Sequence, residues 1–494
     1  MKLINKINTS NIKTALIIFI IIQPIFDLKI FYNSISTLIR VIFISLFFLY
    51  YFINNKNKKK YFLLLYSLLV AIYFIFHHIN ALSFHSLVPG NFNYSPIHEA
   101  LYFIKMMCPF MLIYSVYTAN FSKKELFFVV KVIVLFISII IIFSNLFSFS
   151  YGSYSDIIIK ANFFEWFNLR TTYRYQDLAS KGLFEFANQI SAILLMFLPF
   201  VIYLNLKSQN KINLITLCFN VFALILLCTK VAVFGIGLVF VFTISIYLFI
   251  KHTTKNMLKI SIVFLIYILL LPFNPSISRI FERQRIIEAT SSATIDVSYS
   301  NVETLINTYT SSSAIQIADS ISDDYKMKYI EKNYELQKIN ENFVLNRYPY
   351  KYDIDFWYEL LNNDNPNKSD YRYLEQSMVK RVVQINSNKY DKFLGITYTR
   401  IQNIFNIEKD FIMQYYSIGI FGMLLFVFPY LIILGYCIIK KFKTTNIYTF
   451  LSIMTIFMLF GISYYSGNLL NSLSFTIYFT IPFSIMLKSK NMEN

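Results

Sequence analysis

The 494-residue chain is 56% hydrophobic and 15% charged, with a mean hydropathy of +0.51; soluble domains carry about 25% charged residues, so a soluble enzyme is excluded and a bilayer protein is indicated. The formal charge of +18 is not a nucleic-acid signal once it is divided by region. Residues 279–410 hold 17 Lys/Arg and 19 Asp/Glu, leaving 28 basic and 8 acidic residues elsewhere, largely in short connections, which is the positive-inside pattern of a membrane protein.

In chain order, Lys2, Lys6 and Lys13 precede an apolar run from about Ala15. The run lacks a small-residue cleavage site and reads as an uncleaved first helix rather than a signal peptide. A crossing helix needs about 20 mostly apolar residues. Runs of that kind lie near 14–30, 36–53, 61–79, 98–118, 125–148, 187–206, 212–228, 231–250, 258–273, 411–438, 447–466 and 470–487. The fold class expected is therefore an all-α polytopic membrane protein of about twelve helices. Every second loop is basic: Lys56 with Lys58 to Lys60, Lys123 with Lys124, Lys207 with Lys211, Lys251 with Lys255, and Lys440, Lys441 and Lys443. These loops and both termini are assigned to the cytoplasm of a plasma-membrane protein. The segments around His85, from Tyr151 to Glu185, around Lys230, from Arg279 to Asp410 and around Gly467 then fall outside. The runs flanking Cys228 to Val231 are taken as two hinged helices, because one long helix would break the alternation at Lys251 and Lys440.

This divides the chain into nine helices over 1–273, a large extracytoplasmic loop or cap over 274–410, and three helices over 411–494. Within the cap, Ser291 to Ser322 looks irregular or weakly helical, and Asp323 to Asn340 favours helix. Tyr352 to Leu361 and Tyr371 to Val383 read as amphipathic helices separated by a turn at Asn362 to Lys368. No internal repeat is evident, against the pattern of carriers built from related halves.

Neither a phosphate-binding loop nor a dinucleotide fingerprint is present. Cys108, Cys218, Cys228 and Cys437 lie in or beside apolar runs, and His77, His78, His85, His98 and His252 form no paired ligand motif. No metal and no cofactor is expected. His77 and His78, at a helix end, are read as interfacial. The assigned outer segments gather Arg170, Arg174, Lys181, Lys230, Arg279, Arg283, Arg285, Arg372 and Arg400. Guanidinium forks and ammonium groups suit a diphosphate; snorkelling and pairing with cap carboxylates are the structural alternatives. Arg40 and Lys105 lie inside apolar runs, where a charge needs a partner, and Asp27 or Glu99 could supply it. Glu408 and Asp410, where the cap returns to the membrane facing water, and Glu185 at the matching place in the sixth helix, could each take a proton from a hydroxyl or pair with Lys409 or an arginine. Trp166, Trp357, Tyr348, Tyr350, Tyr352 and Tyr358 offer faces for sugar rings or anchors at the interface.

Several short runs carry a resemblance. Gln23-Pro24-Ile25-Phe26-Asp27, Lys181-Gly182-Leu183-Phe184-Glu185-Phe186-Ala187-Asn188-Gln189-Ile190-Ser191-Ala192 and Thr229-Lys230 resemble the O-antigen polymerase and O-antigen ligase superfamily. So do Lys392-Phe393-Leu394-Gly395-Ile396, Ile407-Glu408-Lys409-Asp410-Phe411 and Tyr416-Ser417-Ile418-Gly419-Ile420-Phe421-Gly422, in the form found in Gram-positive cell-surface polysaccharide loci. The resemblance implies a GT-C-like, metal-independent glycosyltransferase of capsule, exopolysaccharide or O-antigen type. Its donor would be an undecaprenyl-diphosphate-linked glycan amid membrane lipids, with a flippase and a chain-length regulator as pathway partners. Carried over, the family's diphosphate-binding basic residues fall on Arg170 or Arg174, Lys181 and Lys230, with Arg279 a further candidate. The outer-loop histidine of the ligases has no counterpart, which favours a polymerase or leaves Glu408 or Asp410 as the substitute base. A ligase and a lipid-linked oligosaccharide flippase are the alternatives.

Overall fold

The computed structural model describes residues 9–31, 33–56, 60–88, 90, 92–168, 173–208, 210–251, 257–290, 312–441 and 446–488. Among these, eight helices are long and apolar enough to cross a membrane: Ser34–Asn54, Tyr61–Leu82, Pro96–Thr118, Lys123–Leu146, Ala187–Lys207, Lys230–Ile250, Asp410–Ile439 and Ile447–Tyr465. A pair bent by 41°, Met257–Phe273 with Pro275–Glu282, makes up to nine, and Ser10–Ile21, Lys211–Leu227 and Leu473–Lys488 are shorter apolar helices. The protein is all-α and polytopic; the described residues give eight or nine membrane-length spans where twelve runs were counted. The difference lies in runs cut short by polar or bent backbone.

Ala187–Lys207 is the central helix. Its residues are apolar on every side, and nearly all are buried, as expected of a helix ringed by others. Lys123–Leu146, Lys211–Leu227, Lys230–Lys251 and Ile447–Tyr465 pack around it. The helix ending at Leu227 does break before the one starting at Lys230, with Cys228 in the left-handed region (φ 50°). Irregular backbone at membrane depth needs substitute partners. Asn274 Nδ2 donates to the Ile225 carbonyl at 3.1 Å, and the Tyr154 hydroxyl donates to the Cys228 carbonyl.

Arg40 and Asp27 answer the expectation for the first buried cation. Arg40 donates to Asp27 Oδ1 (2.6 Å), Gln23 Oε1 (2.8 Å), the Gln23 carbonyl (3.2 Å) and Ser474 Oγ (2.6 Å). The backbone of this first motif is tied to the motif entering the central helix: Lys29 N–H donates to Leu183 O (2.9 Å) and Glu185 N–H to Asp27 O (3.2 Å).

The helix from Asp410 is broken at Gly419 (φ 60°, ψ −173°). The short helix Asp391–Leu394 ends against the break, and Ile396 and Thr397 N–H donate to the freed carbonyls of Tyr416 (2.8 Å) and Ser417 (3.0 Å). A Cβ on Gly395 would lie 2.2 Å from Ser417 O, and one on Gly419 would lie 2.4 Å from the Phe393 carbonyl carbon. Both glycines also have positive φ, so this contact between two quoted motifs accepts no side chain at either position.

The polar segment folds into a helical unit, the cap, whose core holds Trp357, Tyr348, Leu361, Leu374, Met378 and Val379. Residues 291–311 lie outside the described residues; from Ser312 the chain is helical to Asn333, a helix that begins in the stretch read as irregular or weakly helical and continues into the one read as helix-favouring. The two amphipathic helices are present as Ile354–Asn362 and Tyr371–Asn386. Asp353 binds the Arg381 fork at 2.8 and 2.9 Å and accepts from the Tyr348 hydroxyl at 2.7 Å. Arg400 ties the cap to the helix Tyr61–Leu82 and the loop after it through the carbonyls of Ala81 (2.8 Å) and Phe92 (3.1 Å), and also donates to Ile396 O in its own segment (3.3 Å). Burial lowers its pKa to about 10, still well above neutrality.

Candidate functional site: a cationic cavity between the cap and the membrane helices

A cavity of about 1250 Å³ opens between the cap and the membrane helices. Four parts of the sequence meet on it: residues 153–189, the hinge Thr229-Lys230-Val231, the helix after the bend with Arg279 and Gln284, and cap segments with Arg372, Tyr398, Glu408 and Lys409. Lys105 and residues 464–474 complete the wall.

Local structure explains how the cations reach it. Ser180–Gly182 pairs antiparallel with Tyr151–Gly152, which anchors the Lys181 backbone; Lys181 Nζ then binds Asp156 Oδ1 at 2.9 Å. Asp156 also meets Lys29 at 3.0 Å. Hydrogen bonds from Lys181 and Lys29 hold the Asp156 carboxyl below the usual carboxylate range. Lys230 opens its helix, and Thr229 Oγ1 caps it by accepting from Ala232 N–H (3.0 Å) and bonding Ser191 Oγ (2.8 Å). Arg279 stacks on the Tyr154 ring, 3.8 Å from its centroid.

Two helix N-termini open on this space, at Ala187 and at Lys230. The first has no side-chain cap at Phe186. The positive end of the helix dipole favours an anion at both. Chemically, the wall offers ammonium and guanidinium groups, helix N-termini, three half-buried carboxylates (Glu185, Asp370 and Glu408) with the exposed Asp156, and the rings of Tyr154, Tyr175, Tyr373, Tyr398, Tyr464 and Tyr465. That set suits a polyanion carrying hydroxylated rings. Among the described residues, no group of three or more metal-ligating side chains forms.

The residues singled out from the sequence fall in different places. Lys181, Lys230, Arg279 and Glu408 share the cavity. Arg174 is exposed and does not line it, and Arg170 lies outside the described residues. Asp410 does not face water: it is fully buried and accepts from Leu469 N–H (2.9 Å), Leu470 N–H (3.1 Å) and Asn471 Nδ2 (3.2 Å). Glu408 pairs with Arg372, whose Nε donates at 2.5 Å. His77 is not interfacial but buried, with its ring nitrogens 3.0 Å from Glu99 Oε1 and 2.6 Å from the Leu394 carbonyl. Glu99 also caps the helix starting at Tyr398, accepting from Tyr398 and Thr399 N–H at 2.9 Å each. Trp357 and Tyr348 are cap core rather than sugar platforms or membrane anchors, and Trp166 is buried with its Nε1 on Leu178 O (3.1 Å). The cavity's own tyrosines were missed; Tyr398, within a quoted polar segment, had no periodicity to mark it.

A family model described as O-antigen ligase like membrane protein matches residues 9–492. The chain belongs to that family. No curated protein and no solved structure matches it. Membership in the O-antigen ligase-like family supports a glycosyltransferase-like membrane enzyme of polysaccharide assembly, acting on lipid-linked glycans. The match runs from the first apolar helix nearly to the last residue, so it takes in every segment lining the cavity.

Proposed function

We propose that this O-antigen ligase-like protein is an extracytoplasmic polymerase, joining polyprenyl-diphosphate-linked oligosaccharide units into a cell-surface polysaccharide. The observation that carries the reading is the cavity itself: Lys181, Lys230 and Arg279, with two helix N-termini, converge where a lipid diphosphate could lie with its glycan under the cap. In the reaction, a hydroxyl of a second lipid-linked unit attacks the anomeric carbon of the donor. The bond from that carbon to the phosphate oxygen breaks, its electron pair leaves with the diphosphate, and inversion at carbon follows. Cations around the diphosphate stabilise the charge that develops on the leaving oxygen.

The acceptor proton needs a carboxylate on the cavity wall. Glu185 and Glu408 are so placed, whereas the buried, amide-bound Asp410 is not. Arg372 occupies the Glu408 carboxylate in an ion pair, which leaves it less free to take a proton from the acceptor; Glu185 has no such ion pair among the described residues. Glu185 is therefore the base in this reading, and Glu408 with Arg372 orients the acceptor.

The second reading is a ligase passing finished polymer to a wall or lipid acceptor, favoured by the description of the matching family model. Among the described residues no histidine lines the cavity, which supports the polymerase. Gel analysis of lipid-linked glycan separates them. A strain lacking the protein should hold single units in place of a ladder, restored by wild type and not by Lys230→Ala. Full-length lipid-linked polymer accumulating in that strain would mean a ligase, and an unchanged ladder would reject both.

A further inference from the structure

Lys105 sits ten residues into the helix Pro96–Thr118, one of the membrane-length spans, and faces the cavity. Both carboxylates that could have neutralised it are engaged elsewhere: Asp27 binds Arg40, and Glu99 binds His77 and the amides of Tyr398 and Thr399. Among the described residues, no carboxylate forms an ion pair with Lys105. Its ammonium lies over two π faces, 5.3 Å from the ring centroid of Tyr102 and 5.1 Å from that of Tyr398.

Those two rings are stacked, 3.8 Å apart and 6° from parallel, and the stack is fixed from behind. The Tyr102 hydroxyl donates to Asn471 Oδ1 (2.9 Å), and Asn471 Nδ2 donates to the buried Asp410 (3.2 Å), which is itself held by two backbone amides. Tyr398 opens the helix that Glu99 caps. A rigid aromatic seat thus holds a half-buried ammonium, midway along a membrane-length helix, without a carboxylate partner among the described residues. Such a charge is costly unless something pairs with it, and cation–π contact offsets only part of the desolvation.

We propose that Lys105, on its stacked-tyrosine seat, is a phosphate-binding residue of the cavity and supplies the anion's partner on a helix separate from Lys181, Lys230 and Arg279. This rests on the proposed lipid-diphosphate chemistry for the identity of the ligand. The account differs from a structural lysine in one sign. A cation kept for the fold makes the unliganded protein less stable when removed; a cation kept for a ligand leaves it as stable or more so.

The test uses the full-length protein in nanodiscs, with undecaprenyl diphosphate and inorganic diphosphate as probes in calorimetry. Lys105→Met should weaken binding of both by about tenfold or more, the worth of one charge-assisted hydrogen bond, while Lys105→Arg stays near wild type and the unliganded melting temperature of Lys105→Met does not fall. Unchanged binding by Lys105→Met would overturn the proposal, as would a loss seen with the lipid alone, or a lowered unliganded melting temperature. If wild type bound neither probe, the proposed function itself would fail, a separate and readable outcome.

Discussion

Two groups of charge in the membrane body are built in opposite ways. Around Arg40 the donors are taken up: Asp27, Gln23 and Ser474 accept from its Nε and both terminal nitrogens, and the residue is wholly buried. In the cavity wall two cations are treated differently: Lys105 and Arg279 are half-buried, rest on tyrosine rings and form no carboxylate ion pair among the described residues. Charge that serves the fold is closed on itself, because an unpaired buried ion is costly. Charge that serves a ligand must be left open, and the protein bears that cost until the ligand arrives.

The largest effect expected is at the closed group. Arg40→Met leaves Asp27 buried without its partner and should destabilise by about 3–5 kcal/mol, read as a fall in melting temperature and yield. Asp27→Asn combined with Arg40→Met should recover part of it. A single variant as stable as wild type would erase the contrast between the groups. Next comes Glu185→Gln, expected to lower the rate by about 10²- to 10⁴-fold, the range for a general base, with little change in melting temperature. Glu408→Gln should cost less; the reverse order would make Glu408 the base. Lys230→Ala and Arg279→Ala should each lower turnover by about 10- to 100-fold, for a lost charge-assisted hydrogen bond of about 1.5–3 kcal/mol. If either instead melted early, it would belong with Arg40.

The smallest effect concerns Asp156, exposed at the rim, whose pKa is lowered first by the Lys181 hydrogen bond and then by that of Lys29. A carboxyl lowered on folding stabilises the protein above its unfolded pKa of about 3.9 and loses that contribution as pH falls through the folded value. Melting curves of wild type and Asp156→Asn should therefore differ slightly at pH 6 and converge towards pH 3. A gap that widens on acidification would contradict the assignment.

The membrane body was legible in the sequence because hydropathy and length act on contiguous residues, and the hinge at Cys228 was legible from the loop charges. The pairing of Arg40 with Asp27 was also foreseeable, since both lie in apolar surroundings near the chain start. Partner choice over long separations was not. Glu99 and Asp27 were equal candidates for Lys105, and only the fold shows both taken, one by a histidine 22 residues away and by amides some 300 residues away. Asp410 and Glu408, two residues apart, looked alike; one turned inward to the loop after Ser466 and the other to Arg372. The polarity of a residue marks it as special, but whether it faces a cavity or a buried amide depends on segments brought together from across the chain. Gly395 and Gly419 show the same limit: each is an ordinary glycine in the sequence, and their need for one another appears only when the broken helix meets the cap.

The most direct test of the account is chain growth by the purified protein in nanodiscs, supplied only with undecaprenyl-diphosphate-linked repeat units and analysed by gel and mass spectrometry. The account predicts a ladder of lipid-linked products and released undecaprenyl diphosphate from wild type, with the ladder collapsing in Lys230→Ala and Glu185→Gln proteins that remain folded. A correctly folded wild type that binds the units yet forms no new glycosidic bond, or variants that polymerise as wild type does, would contradict it.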